Sequence, residues 1–363
     1  MNKTYKICIL PGDGIGADII EEGKKVLQKV AEKSAVKLDL EEGLIGGLAY
    51  DKEGTPFPQE TWEKVKDADA VLLGAVGGPK WDSLPRDKKP EKALLELRKS
   101  LNVYLNLRPV KVYPFLAGMS PIKKIANGEI TPDLVIAREL SSGIYYGEPK
   151  DQTGTGERRE AVDTMRYTYE EIERITRKAF ELAKSRIGKV TSVDKANVLA
   201  SSGLWRDVVN EISNDYPDVE LDHILVDNCA MQVVLNPQQF DVMLCSNMFG
   251  DIISDLASVL PGSIGLMPSA SLGEGSKGLY EPVHGSAPDI AGQGKANPLA
   301  TILSVAMLLE MTLGLKDEAR KVEKAVYDVL NEGYRTHDLY YDDQNETLIS
   351  TQEMGDLITD RIV

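Results

Sequence analysis

Tyr5-Lys-Ile-Cys-Ile-Leu-Pro-Gly-Asp-Gly-Ile-Gly-Ala17 runs from a short apolar stretch through a glycine-rich turn. Beyond it, residues 18–33 carry the amphipathic pattern of a helix. The apolar run, closed by Pro11 and Gly12, predicts a buried strand, and the 3.6-residue period after it predicts the helix. Strand, glycine turn and helix in that order open an α/β fold. Gly12, Gly14 and Ala17 also satisfy the G-x-G-x-x-G/A spacing of a dinucleotide fingerprint, with Asp39 and Glu41 beyond the next strand. The same residues suit a tight turn that needs small side chains. The spacing alone does not separate the two.

Outward from this segment, strand-like runs alternate with helical patterns. Strands are expected at 36–41, 70–73, 134–137, 190–193, 221–226 and 242–245. Helices are expected at 61–66, 91–100, 169–187, 199–214, 251–260, 298–313 and 317–332. The stretch 265–294 is rich in Gly, Pro and Ser and reads as one long loop, which in a compact domain is usually functional. Residues 147–164 are polar and glycine-rich and read as an exposed arm or hairpin. No internal repeat or low-complexity tract is present.

Of 363 residues, 57 are acidic and 42 basic, a formal net charge of −15. So acidic a surface repels phosphate backbones and anionic lipid, so neither nucleic acid nor membrane is expected as a partner. An anionic ligand then needs a local concentration of cations. Three widely spaced cysteines, Cys8, Cys229 and Cys245, suit a reducing compartment better than a disulfide scaffold. Three scattered histidines offer no HExxH-type zinc site. The first residues lack a signal-peptide pattern. The longest apolar stretch, 299–315, is interrupted by Glu310 and short for a membrane span. The expectation is a cytoplasmic chain of two domains.

Three constellations could carry chemistry. Arg98, Arg108 and Arg138 could converge on a small dicarboxylate, because guanidinium forks match carboxylates. Each taken alone reads as a solvated surface arginine, and only convergence overturns that. Asp251 and Asp255 are four apart on a helix, where two like charges repel unless a cation lies between them. Oxygen ligands without His or Cys indicate Mg²⁺ or Mn²⁺, and Asp227 at a strand end is a plausible third ligand. Lys195 also follows a strand, and beside a divalent cation an ammonium gives up its proton more readily, as a general base must. Tyr145 and Tyr146 follow Arg138 by one short loop, and a phenol can donate a proton. Glu281-Pro-Val-His-Gly-Ser-Ala-Pro-Asp-Ile290 has the small residues that let backbone approach a ligand closely.

Together these motifs resemble the isocitrate/isopropylmalate dehydrogenase family of decarboxylating β-hydroxyacid dehydrogenases, and within it the isopropylmalate branch. The likeness covers nearly the whole chain, from Leu10-Pro-Gly-Asp-Gly-Ile-Gly16 and Asn106-Leu-Arg-Pro109 to Val193-Asp-Lys-Ala-Asn-Val-Leu199. Phe249-Gly-Asp-Ile-Ile-Ser-Asp255 and the 281–290 segment are its most specific parts. It implies a two-domain α/β fold of this family's type, distinct from the classical Rossmann fold. Residues 1–103 and 263–363 would form one domain with the NAD loops, and 104–262 a second with a cleft between them. The loop from His284, Gly285, Ser286, Ala287, Pro288, Asp289 and Ile290 to Asn297 would take the adenosine half of NAD, with Gly77 and Gly78 also at the cofactor. The turn at Gly12 is then structural.

The activity implied is NAD-dependent oxidative decarboxylation of 3-isopropylmalate to 4-methyl-2-oxopentanoate and CO₂, in leucine biosynthesis. Arg98, Arg108 and Arg138 would bind the malate carboxylates. Mg²⁺ or Mn²⁺ would sit on Asp251, Asp255 and a partner copy's Asp227, which also touches substrate. Lys195, again from the partner, would take the hydroxyl proton, and Tyr145 would protonate C3. A homodimer is therefore implied, with 147–164 as an intersubunit clasp. Leu94 and Leu95 would form an apolar wall for the isopropyl group, at about 0.8 kcal/mol per buried CH₂. Glu91 would repel the third carboxylate of isocitrate. Asp289 with Ile290 disfavours a 2′-phosphate, hence NAD over NADP. The alternatives are a sister enzyme acting on tartrate, malate or homoisocitrate, and a non-catalytic regulatory subunit. Such a subunit should have lost part of the Lys195, Tyr145 and aspartate set, all of which is present.

Overall fold

The computed structural model describes residues 4–34, 36–341 and 345–363. The chain divides into two compact units. One comprises Met1–Val103, Tyr113–Pro121 and Pro261–Val363, the other Tyr104–Val112 and Ile122–Leu260. The segment Tyr113–Pro121, expected with the second domain, thus clusters with the first. Its aromatic residues explain this: the Tyr113 and Phe115 rings stack at 5.5 Å, and Phe115 meets Tyr327 edge-on at 5.0 Å.

In the first unit five strands lie in the order Lys37–Glu42, Thr4–Gly12, Ala70–Ala75, Gly278–Pro282 and Pro268–Leu272. The first four pair in parallel and the last is antiparallel. Every residue of Ala70–Ala75 is buried, as a strand covered on both faces requires. The helix Gly16–Lys33 buries Ile19, Ile20, Val26, Leu27 and Val30 on one face. In the helix Leu299–Met311, all residues from Leu299 to Leu309 are buried, so the longest apolar stretch is a core helix. Among the described residues no helix is long and apolar enough to cross a membrane.

The stretch 265–294 is not one loop. It contains the strands Pro268–Leu272 and Gly278–Pro282, paired antiparallel and almost wholly buried. Ser269 and Ser271 sit where strands usually carry β-branched residues, which hid the pattern. Their polarity is met internally: Ser269 Oγ donates to the Glu281 carbonyl at 2.8 Å. The connection 273–277 and the stretch after Pro282 remain irregular.

The glycines of the fingerprint-like turn are explained by backbone crowding. A Cβ on Gly12 would lie 1.9 Å from the Ala75 carbonyl oxygen, and one on Gly14 2.0 Å from that of Ser286. Both have positive φ, +74° and +55°.

The second unit orders its strands Leu105–Lys111, Asp133–Glu139, Val242–Cys245, Lys189–Asp194 and Glu220–Leu225. The first pair is antiparallel and the rest parallel. Leu105–Lys111 escaped the sequence reading because Asn106, Arg108 and Pro109 break its apolar run, although Asn106 and Arg108 are themselves buried. The helix Val226–Leu235 was also missed, and the helix carrying the aspartates begins earlier than expected, spanning Asn247–Ala257. Helix Tyr169–Lys184 starts on a capping box between Thr168 and Glu171. Within 147–164, Asp151–Thr153 and Glu160–Val162 form an exposed antiparallel hairpin.

Candidate active site

Side chains with chemical potential gather at the carboxyl ends of strands in the second unit, where open α/β sheets bind ligands. Antiparallel register sets Arg108 opposite Ile136 and Asn106 opposite Arg138. Arg108 and Arg138 are therefore diagonal neighbours on one face. The two guanidiniums meet the aspartates of the helix Asn247–Ala257. Arg138 Nη1 bonds Asp251 Oδ1, and Arg108 Nη1 lies 3.5 Å from Asp251 and 3.6 Å from Asp255. Arg108 is thus within ion-pair distance of both carboxylates. Tyr145 donates to the other Asp251 oxygen at 2.8 Å. Burial and then the Asp251 charge push the Tyr145 hydroxyl up to about 12, so it stays a proton donor throughout the neutral range. Burial likewise raises Asp255, against the pull of Arg108.

Several supporting residues carried no signal in the sequence. Asn247 accepts from Arg138 Nε and Nη2 through one amide oxygen, at 3.2 and 2.8 Å, and donates to the Ser142 carbonyl at 2.9 Å. Asn106 and Ser254 take the Arg108 guanidinium at 2.7 Å each. Glu139 is fully buried and accepts from Ser141 N and Ser142 N at 2.9 Å, which fixes the turn leading to Tyr145. Gly250 leaves room for the Arg138 stem: a Cβ there would stand 2.7 Å from Arg138 Cγ. We expect Gly250→Ala to raise the KM for an acidic substrate and to cost about 1–3 kcal/mol of stability by overpacking. Steady-state kinetics and denaturant unfolding check both. Unchanged values would mean that Arg138 has freedom the packing denies it.

Lys195 and Asp227 are brought together elsewhere in the same unit. Lys195 follows the strand Lys189–Asp194, and Asp227 opens the helix Val226–Leu235. Their charged atoms are 2.6 Å apart, and this hydrogen bond holds the exposed Asp227 carboxyl below its usual range. Among the described residues no three acidic, His or Cys side chains converge on one metal-sized point. Asp227 thus does not complete an ion site with Asp251 and Asp255 inside one chain.

The first unit holds the remaining candidates. Arg98, near the end of the helix Pro90–Ser100, is buried and bonds Glu281 at 2.7 Å. Glu91 is exposed near the Gly77 backbone, Leu95 is half-buried, and half-buried Leu94 packs on the core around Leu73 and Leu97. Gly77 and Gly78 have φ of +106° and +155°. Ser286 Oγ donates to the Gly77 carbonyl at 2.7 Å. Ile290 packs beside Ile15 and Ile19, while Gly285, Pro288 and Asp289 are exposed and Ala287 has φ +33°. His284 Nδ1 lies 2.9 Å from the Gly285 carbonyl, but its buried Nε2 has no partner in the protein. Burial lowers its affinity for a proton, so the ring is neutral and able to serve a ligand. Asn297 has both ends of its amide engaged: it donates to Asp338 and accepts from Leu299 N, each at 2.9 Å. Its oxygen thus serves the first N–H of the helix Leu299–Met311 from just before the helix.

The family model for isocitrate/isopropylmalate dehydrogenase matches residues 6–358. The chain belongs to that family. Its relatives include the 3-isopropylmalate dehydrogenases of Aquifex aeolicus, 52% identical over 99% of this chain and 98% of that one, and of Thermotoga maritima, 55% identical over 98% and 99%. Among solved structures, isocitrate dehydrogenase from Methylococcus capsulatus superposes with a TM-score of 0.87 at 36% identity, covering 99% of both chains. A β-decarboxylating dehydrogenase from Thermococcus kodakarensis gives 0.77 at 36% identity, over 99% of this chain and 96% of that one. For a member of this family the expected prosthetic partners fit the residues present. The unpartnered His284 Nε2 and the adjoining small-residue loop suit a dinucleotide. Asp251 and Asp255 supply the oxygen-only donors that Mg²⁺ or Mn²⁺ prefers.

Proposed function

We propose that this protein catalyses the NAD-dependent oxidative decarboxylation of 3-isopropylmalate to 4-methyl-2-oxopentanoate and CO₂, a step of leucine biosynthesis. The observation that carries the reading is the convergence of Arg108, Arg138 and Tyr145 on Asp251 in a chain so close to named 3-isopropylmalate dehydrogenases. Arg98, Arg108 and Arg138 bind the two carboxylates, each charge-assisted hydrogen bond contributing about 1.5–3 kcal/mol. Lys195 accepts the C2 hydroxyl proton. Tyr145 delivers a proton to C3 once CO₂ has left with its bond broken toward C3. The 284–290 and 77–78 loops would hold NAD⁺, which would supply the acceptor for the C2 hydride. Asp251, Asp255 and the partner subunit's Asp227 would hold a divalent ion, which would supply Lewis-acid polarisation at the substrate's C2 oxygen.

The protein acts as a homodimer in this reading. The helices Val226–Leu235 and Asn247–Ala257 expose Met231, Leu235 and Ile252 at 57%, 62% and 56%, apolar surface that a second copy would cover. The hairpin at 147–164 would clasp that copy. Three buried, unpaired cysteines suit the reducing cytoplasm. Leu94 and Leu95 favour the isopropyl group and Glu91 disfavours a third carboxylate. NADH formation with Mg²⁺ tests this directly, comparing 3-isopropylmalate, isocitrate, homoisocitrate, tartrate and D-malate. We expect kcat/KM for 3-isopropylmalate to exceed the others by at least about tenfold, as each isopropyl carbon adds near 0.8 kcal/mol. Preference for another acid would overturn the substrate assignment and leave the chemistry in place.

A further inference from the structure

The aspartate inside the fingerprint-like turn has no role in the reading above, yet it is among the best-hydrogen-bonded carboxylates of the first unit. Asp13 is 3% exposed. Its Oδ2 accepts from Gly47 N at 2.9 Å and Gly77 N at 2.7 Å, and its Oδ1 accepts from Leu48 N at 2.7 Å. Three backbone donors from two separate segments therefore depend on one side chain. The segments are shaped for it: Gly46 has φ +82°, and a Cβ there would lie 2.4 Å from Asp13 Oδ2.

The bonds close into a ring. Asp13 holds Gly77 N, the Gly77 carbonyl accepts from Ser286 Oγ at 2.7 Å, and the Ser286 carbonyl accepts from Ile15 N at 2.8 Å, two residues from Asp13. The ring joins the two loops assigned to NAD through the turn between them. An aspartate suits this position because both oxygens must accept, and an asparagine offers only one. We propose that Asp13 is a positioning residue for the cofactor, setting the spacing of the 77–78 loop from the 284–290 loop. This rests on the reading of those loops as the NAD site.

Titration of NAD⁺ into the purified full chain, paired with steady-state kinetics, tests it. Asp13→Ala should raise the Kd and KM for NAD⁺ about tenfold or more while KM for the acid substrate stays within about twofold. Asp13→Asn keeps one oxygen for Gly47 and Gly77 but turns its NH₂ toward Leu48 N, so its loss of affinity should fall between wild type and Asp13→Ala. Ser286→Ala removes one bond of the same ring and leaves the rest of the fold in place. If the ring acts as one unit, the double variant should bind NAD⁺ no worse than about the weaker single variant. NAD⁺ affinity unchanged in folded Asp13→Asn and Asp13→Ala would overturn the proposal. So would equal losses for both substrates, or multiplicative losses in the double variant. A wild-type chain that fails to bind NAD⁺ at all would instead remove the cofactor reading beneath it, and the proposal with it.

Discussion

Lys195→Met is expected to lower kcat by about 10³-fold, within the 10²–10⁴ that a positioned general base contributes, and to leave both KM values within about threefold. Methionine keeps the length and apolar stem of lysine and removes only the group that accepts the proton. The pairing in the structure makes the change inexpensive for the fold. Lys195 bonds Asp227, whose side chain is 64% exposed, and exposed ion pairs contribute little to stability. Thermal unfolding should therefore move little while turnover collapses. Small primary amines added to the variant should restore part of the rate, since they return a base without a tether. Turnover within tenfold of wild type would remove Lys195 from the proton path.

Asp251→Asn is expected to be comparably damaging for a different reason. Asp251 is where Arg138, Arg108 and Tyr145 meet, and an amide replaces two accepting oxygens by one and discards the charge. Arg138 is 2% exposed and would lose its carboxylate, although Asn247 still accepts from it. The lost charge-assisted bonds should cost about 1.5–3 kcal/mol of stability without added ligand. The Mg²⁺ or Mn²⁺ concentration for half-maximal activity should rise at least about tenfold, and kcat/KM should fall about 10³-fold. Unfolding curves and metal titrations separate the two effects. An unchanged metal requirement would take Asp251 out of the proposed ion site.

How much of this was legible beforehand follows from which residues carry local signals. Alternating apolar runs exposed most of the parallel strands, and the spacing of Asp251 and Asp255 placed them on one helix face. The strands Pro268–Leu272 and Leu105–Lys111 were hidden because Ser, Asn, Arg and Pro occupy buried strand positions, where the polar groups are satisfied by partners distant in sequence. The same cause concealed Asn247, Ser254 and Glu139: each is an ordinary polar residue until the fold sets it beside an arginine or a turn. The glycine fingerprint was ambiguous by itself for the opposite reason. Its spacing is a true local constraint, imposed by the close passage of the Ala75 and Ser286 carbonyls.

The pairing of Lys195 with Asp227, apart from any three-acid cluster in the described residues, leads to the claim that one active site draws on two copies of the chain. The most direct measurement mixes the Lys195→Met and Asp251→Asn variants, unfolds and refolds them together, and compares turnover with each refolded alone. In a hybrid dimer one site would combine an intact Asp251 with an intact Lys195 from the other copy, and the second site would lack both. Random reassortment then predicts about one quarter of the wild-type rate, since about half the dimers are hybrids with one working site each. A mixture no more active than the two inactive variants, with hybrid dimers demonstrably formed, would contradict the shared site.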